Sequence, residues 1–284
     1  MISPYVRRMR LAKELRKLRA DAHLTHEQLS RSSGESKPQI SRLENGHVVD
    51  LASVLRILEA LEVTGDEWTR IMEITRQAGE KGWWETVRGI GDRQALFANL
   101  EAGAVRIQQY QQTFVPGLLQ IPEYVRARCE ADAVLMPSNS RVDGVVKGNA
   151  DRQRMLRRPG APRYEVIVDE VAIRRPSAPL DVFRRQLHHL AGAVNGADGQ
   201  PSLRVLPIEK LIPDCAVPRC SFSIYVYPDD PPVVATDSVT TDQVFTEPDD
   251  VGPYQHLYER LSQAASSPED SLALITAAAE SPGS

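Results

Sequence analysis

The feature that most restricts how this chain folds is a pair of helix starts, Thr25 and Ser36, separated by a tight break at Ser33-Gly34. Each start has a glutamine three residues on, Gln28 and Gln39, the spacing of a capping box, in which the cap side chain and the third helical residue satisfy each other's amides. Leu29 anchors the first of these helices, and Gly34 ends it by reaching the left-handed conformation that turns the chain sharply. The second tolerates Pro38 because first-turn amides have no intrahelical acceptor. Ile40 and Leu43 point it inward, and Asn45-Gly46 closes it.

The flanks supply partners for this pair. Leu11, Leu15 and Leu18 mark the buried stripe of a helix over Leu11 to Ala22, with Lys13, Arg16 and Lys17 outside it, and His23-Leu24 breaks the pattern. A fourth helix is expected from Leu51 to Leu61 and a fifth from Asp66 to Ala78. Together they predict an all-α bundle of five helices over residues 1–78. Helical periodicity lapses at Gly79, Gly82 and Trp83-Trp84, which places a linker at 79–92.

Beyond it the texture changes. Short β-rich runs occur at Val105–Tyr110, Tyr164–Ile173, Leu203–Ile208, Phe222–Tyr227, Val233–Thr236 and Gln243–Thr246. Helical stretches fall at Ile121–Ala131, Asn149–Arg158, Leu180–Val194, Val251–Ala265 and Pro268–Ala279. This predicts one α/β or α+β domain over 93–280, followed by a tail at 281–284.

Charge separates the two parts. Residues 1–47 hold ten Lys or Arg against five acids, a net of +5, so with the whole chain at −4 the remainder carries −9. A basic head on an acidic body suits a chain that meets phosphates with one end only. Two short helices joined by a glycine turn and preceded by a scaffolding helix can set the third helix into a major groove. On its outer face lie Pro38, Ser41 and Arg42, with Lys37 at the flank. Arg42 suits a bidentate contact to guanine, Lys37 a guanine or a phosphate, and Pro38 a thymine methyl. One such helix reads only a few base pairs, so a homodimer on a pseudo-palindromic site in double-stranded DNA is expected.

The stretch LTHEQLSRSSGESKPQISRLENG, Leu24 to Gly46, resembles the Xre-type repressors of lambdoid phages, down to its Ile-x-x-Leu-Glu-Asn-Gly ending. The resemblance implies base reading by Lys37, Pro38 and Arg42, to which the outer face adds Ser41. It also implies phosphate contacts at His26 and at the backbone near Asn45 and Gly46. Gln39, Arg7 and Arg8 complete the expected phosphate set. An internal ion pair between Arg19 and Glu44 is implied as scaffold. Pro38 departs from those repressors, since proline cannot donate the side-chain hydrogen bonds of the polar residue found there.

Across nearly the whole chain, Ser3-Pro4-Tyr5-Val6-Arg7-Arg8, the segment Val115 to Tyr124, Arg152-Gln153, Val168-Asp169-Glu170 and Val205-Leu206-Pro207 look like a large family of actinobacterial regulators. There an Xre-type head is fused to a C-terminal domain of largely unassigned function. The resemblance implies a ligand-sensing or partner-binding domain, or an antitoxin-like protein that holds a small partner and autoregulates. After residue 207 the chain departs from the family, with Glu209 to Cys215 and the rigid acidic loop Pro228 to Pro232.

Catalysis is not expected. Asp169 and Glu170 would point to opposite faces of a strand, and His188-His189 are adjacent rather than one helical turn apart. Gly-rich phosphate loops and nucleophile elbows are absent. Cys129, Cys215 and Cys220 are too few and ill-spaced for disulfides or a metal, and no cofactor is expected. No run approaches a membrane span, and Arg7, Arg8 and Arg10 lack a following apolar run, so a cytoplasmic location is expected. The arginines Arg152, Arg154, Arg157 and Arg158 read as a solvated helix face, or as a second nucleic-acid contact.

Overall fold

The computed structural model describes residues 2–47, 49–135, 141–194 and 201–281. All but Ser281 of the expected tail lies outside them. The chain forms two compact units, residues 1–85 and 86–284.

The first unit is helical. It consists of α1 (Pro4–Asp21), α2 (His26–Ser33), α3 (Lys37–Glu44), α4 (Leu51–Ala60) and α5 (Gly65–Ala78). Thr25 and Gln28 form the expected capping box, Gly34 takes the left-handed conformation at φ +75°, and the Ser36 side chain accepts from the Gln39 amide. Leu11, Leu15, Leu29, Ile40, Leu43, Val54, Ile57, Leu58, Ile71 and Ile74 join in one core. The difference from expectation is at the start: α1 begins at Pro4 rather than Leu11. Ser3 caps it through the Val6 amide, and Pro4 occupies the first turn, where its missing N–H costs nothing.

The second unit is α+β, built on a six-stranded sheet of order β3-β2-β1-β4-β5-β6. Its strands are β1 (Arg106–Gln111), β2 (Arg163–Asp169), β3 (Ser202–Leu206), β4 (Phe222–Val226), β5 (Val233–Thr236) and β6 (Gln243–Phe245). β1, β2 and β3 run parallel, and β4, β5 and β6 continue the sheet antiparallel. The helices are α6 (Asp92–Glu101), α7 (Pro122–Leu135), α8 (Val142–Gln153), α9 (Glu170–Arg174), α10 (Leu180–Val194), α11 (Pro248–Ala264) and α12 (Pro268–Glu280). On one face of the sheet Tyr110, Ile167, Phe222, Ile224 and Val234 pack under Val251, Tyr258 and Leu261 of α11. α12 packs on α10 and β3.

Four expectations are corrected in this unit. The run Tyr164–Ile173 is not one strand, because the Asp169 side chain accepts from the Val171 amide at 3.0 Å and caps α9. Helix α8 starts seven residues before Asn149, and Arg154–Arg157 form a 3-10 turn that ends where Pro159 holds Arg158 extended. Two glycines disguise that helix, and both sit where backbone or side chain comes too close for a Cβ. One added at Gly144 would meet the Gly89 carbonyl at 2.4 Å, and one at Gly148 would meet Ile90 Cγ1 at 2.5 Å. Residues 86–91, expected as linker, are therefore packed against α8 by their own backbone and by the buried Ile90.

The fourth correction concerns Arg152. It is buried, not solvated, and donates to both oxygens of the buried Glu101 (Nη2–Oε1 2.5 Å, Nε–Oε2 3.0 Å) and to Gln94. Its guanidinium lies 5.4 Å from the Phe97 ring centroid. A second nucleic-acid contact through this residue is therefore ruled out by burial.

The Val115–Tyr124 segment is held by three amide side chains, two from α8 and one from α10. Asn149 donates to the Gly117 carbonyl at 2.8 Å, and Gln153 donates to that of Gln120 at 2.6 Å. The fully buried Gln186 donates to Leu119 O and accepts from the Ile121 amide, both at 2.8 Å. An irregular segment without a β ladder needs such partners, because each buried amide or carbonyl left alone costs roughly 1–3 kcal/mol.

Candidate nucleic-acid interface

Helix α3 is eight residues long and divides cleanly. Ile40, Leu43 and Glu44 are buried, while Lys37, Pro38 and Arg42 are exposed and Ser41 and Gln39 are half-buried. Arg42 makes no side-chain hydrogen bond or ion pair among the described residues. Ser41 is partly engaged, since Asn45 Nδ2 donates to its carbonyl at 2.7 Å and lies 3.3 Å from its hydroxyl.

Lys37 is tethered. Its Nζ lies 3.1 Å from Glu27 Oε2, and Arg31 holds the other oxygen of that carboxylate at 2.9 Å. Lys37 first, and Arg31 after it, hold the Glu27 carboxyl below the usual carboxylate range. Glu27 was not a candidate in the sequence because α2 and α3 had first to be placed side by side.

The pair behind this face is explicit. Arg19 Nε donates to Glu44 Oε1 at 2.7 Å and Nη2 to Oε2 at 2.8 Å, while Nη1 reaches the Leu24 carbonyl at 3.0 Å. Arg19 thereby ties α1 to the end of α3 and to the loop before α2. Glu44 also takes a third donor, His26 Nε2, at 2.9 Å. Burial pushes the Glu44 carboxyl up, but Arg19 and His26 outweigh it and hold the group below the usual range.

The expected phosphate residues are placed less uniformly. His26, at the start of α2, is half-buried with its ring on Glu44. The amides of Asn45, Gly46 and His47 all donate to carbonyls of α3, so none of the three is free for a phosphate. Gly46 adopts φ +70°, and a Cβ there would lie 2.7 Å from Met9 Sδ. Arg7 is only 6% exposed, and Arg8 is half-buried with its Nε enclosed and unpartnered. Arg7 lies inward because Pro4, Arg7, Leu11 and Leu15 share one stripe of α1 at spacings of three and four. With the helix beginning at Leu11, that phase could not be seen.

Two family models match the chain. A helix-turn-helix domain covers residues 10–70, from within α1 to within α5. A domain of unknown function (DUF5753) covers residues 94–277, well over half of the chain. The chain belongs to the DUF5753 family. The part it shares with that family runs from α6 to α12 and contains the whole sheet, the amide-held Val115–Tyr124 segment and the Arg152–Glu101 pair. No curated protein and no solved structure matches it. The helix-turn-helix match supports a DNA-binding regulator, and no helix among the described residues is long and apolar enough to cross a membrane.

Proposed function

We propose that the chain is a sequence-specific transcriptional regulator that binds double-stranded DNA as a homodimer on a pseudo-palindromic operator. Its acidic DUF5753 unit senses a small molecule or a protein partner. The observation that carries the reading is the outer face of α3, where Lys37, Pro38 and the unengaged Arg42 stand exposed on the basic end of the chain. Arg42 offers the fork that matches O6 and N7 of guanine, a contact worth about 1–3 kcal/mol of discrimination. Pro38 contributes apolar surface and no hydrogen bond, so base preference opposite it is weak.

In vitro selection from random duplexes tests this reading. The expected result is an enriched, two-fold related motif. Arg42→Ala then lowers affinity for the selected duplex by about tenfold and relaxes preference at one position of each half-site, read by fluorescence anisotropy on single-base variants. No enrichment, or an Arg42→Ala protein with unchanged affinity and base preference, overturns the assignment.

A further inference from the structure

We propose that Glu44, beyond bracing Arg19, is a positioning residue of the DNA interface: it captures the Nε2–H of His26 and so makes the phosphate contact of that histidine depend on taking up a proton. The inference rests on the DNA-binding reading above and deepens it.

The geometry leaves few alternatives for the ring. An ionised carboxylate only accepts, so the 2.9 Å contact between His26 Nε2 and Glu44 Oε2 requires the proton on Nε2. Glu44 is 3% exposed and ionised, with Arg19 on both its oxygens, which fixes the acceptor in place. The imidazole is about two-fifths exposed, so its open side is accessible. With the proton on Nε2, the one other nitrogen of the neutral ring, Nδ1, carries a lone pair. Phosphate oxygens are acceptors too, and two acceptors repel. Contact through Nδ1 therefore needs a proton from solvent, after which the imidazolium donates from both nitrogens, to Glu44 on one side and to phosphate on the other.

The charged groups around the ring agree with this. Glu44 faces it from α3, with Arg19 from α1 behind the same carboxylate. On α2 itself Glu27 is already occupied by Lys37 and Arg31, so it does not compete for the ring. A phosphate arriving at the start of α2 also meets the positive end of a helix whose first amides point outward. Each His26 that makes the contact adds one proton to the complex, and DNA affinity rises as pH falls.

The experiment uses the full chain and the duplex enriched by the selection above. Anisotropy titrations at constant salt, from about pH 8 down to about pH 6, follow the range in which histidines charge. Wild-type affinity is expected to rise as pH falls, by at most about tenfold per half-site for each pH unit, the limit set by one proton per contact. His26→Gln, whose amide donates without charging, is expected to bind with a markedly flatter profile and an unchanged thermal melt. Nitrogen NMR on labelled histidine is expected to show both ring nitrogens of His26 protonated in the complex. Parallel pH profiles for wild type and His26→Gln, or a neutral ring in the complex, overturn the proposal while leaving the regulator reading intact. If no duplex is enriched, the regulator reading falls and takes this inference with it.

Discussion

Glu44 is a single carboxylate with three donors, and its energetic role can be separated from its interface role by acid. Its carboxyl lies below the usual carboxylate range in the folded protein, so its stabilising contribution is fully present above the ordinary unfolded value. That contribution is lost as pH falls through the lowered folded value. Glu44→Gln keeps the shape and removes the charge. It is expected to cost about 2 kcal/mol at neutral pH and to flatten the acid limb of stability between about pH 5 and pH 3. Urea unfolding followed by circular dichroism across that range measures both. An acid limb as steep in the variant as in the wild type would show that other carboxylates carry it.

The same scale shows what a sequence can and cannot reveal. Lys37, Pro38 and Arg42 were readable because Ile40 and Leu43 fix the phase of α3, and the outer face follows by geometry. The meeting of Arg19 and Glu44 came only from a family resemblance, since residues 25 apart in sequence carry no periodic signal. Glu27 on Lys37 and His26 on Glu44 are tertiary neighbours of the same kind and were not anticipated. Arg152 misled for the opposite reason: it stands in an arginine-rich run, yet its partners, Glu101 and Gln94, lie more than fifty residues upstream.

Elements were legible where cap, stripe and stop agreed. α2 and α3 have all three signals, and their expected and observed limits coincide. α6 has only a stop, Gly103 at φ +78°: it begins after Gly91 without a side-chain cap, and its buried positions Phe97 to Glu101 run consecutively instead of along a stripe. α8 was half hidden by Gly144 and Gly148, which weaken a helix taken alone and are required by what it packs against. Gly144→Ala makes the point testable. Intrinsic propensity favours alanine by about 1 kcal/mol, but the added carbon would lie 2.4 Å from the Gly89 carbonyl. Net destabilisation of about 1–3 kcal/mol is expected, as for overpacking in a close-packed core. Thermal melts of the full chain would show it, and a higher melting temperature would mean that residues 88–89 yield without cost.

At the scale of the molecule, the distribution of charge predicts how binding responds to salt. With +5 on residues 1–47 and −9 elsewhere, the chain's net acidity gives no attraction to DNA, and the phosphate contacts of the head carry it. Two proteins per duplex are expected by sedimentation of the complex. The logarithm of affinity should fall linearly with the logarithm of salt, with a slope of roughly 0.9 for each phosphate neutralised. One protein per duplex at saturation would refute the dimer. The division into a helical head and a body that mixes helices and strands was visible in texture alone, as three-to-four-residue stripes gave way to short β-rich runs, while α/β and α+β stayed open. The sheet's mixed strand directions were not, because pairing order leaves no local trace in a sequence.

The central place of β1 has a consequence for how the protein is made. β1 receives β2 on one side and β4 on the other, and Tyr227, just past β4, donates to the Leu100 carbonyl 127 residues earlier. A ribosome adding about 5–20 residues per second takes on the order of ten seconds to supply that last partner. During this interval the helical head can emerge and fold, while β1 waits with an open edge. Nascent chains halted before β4 should therefore be the ones that call on chaperones and proteases, and a complete DNA-binding head is expected at the front of each of them.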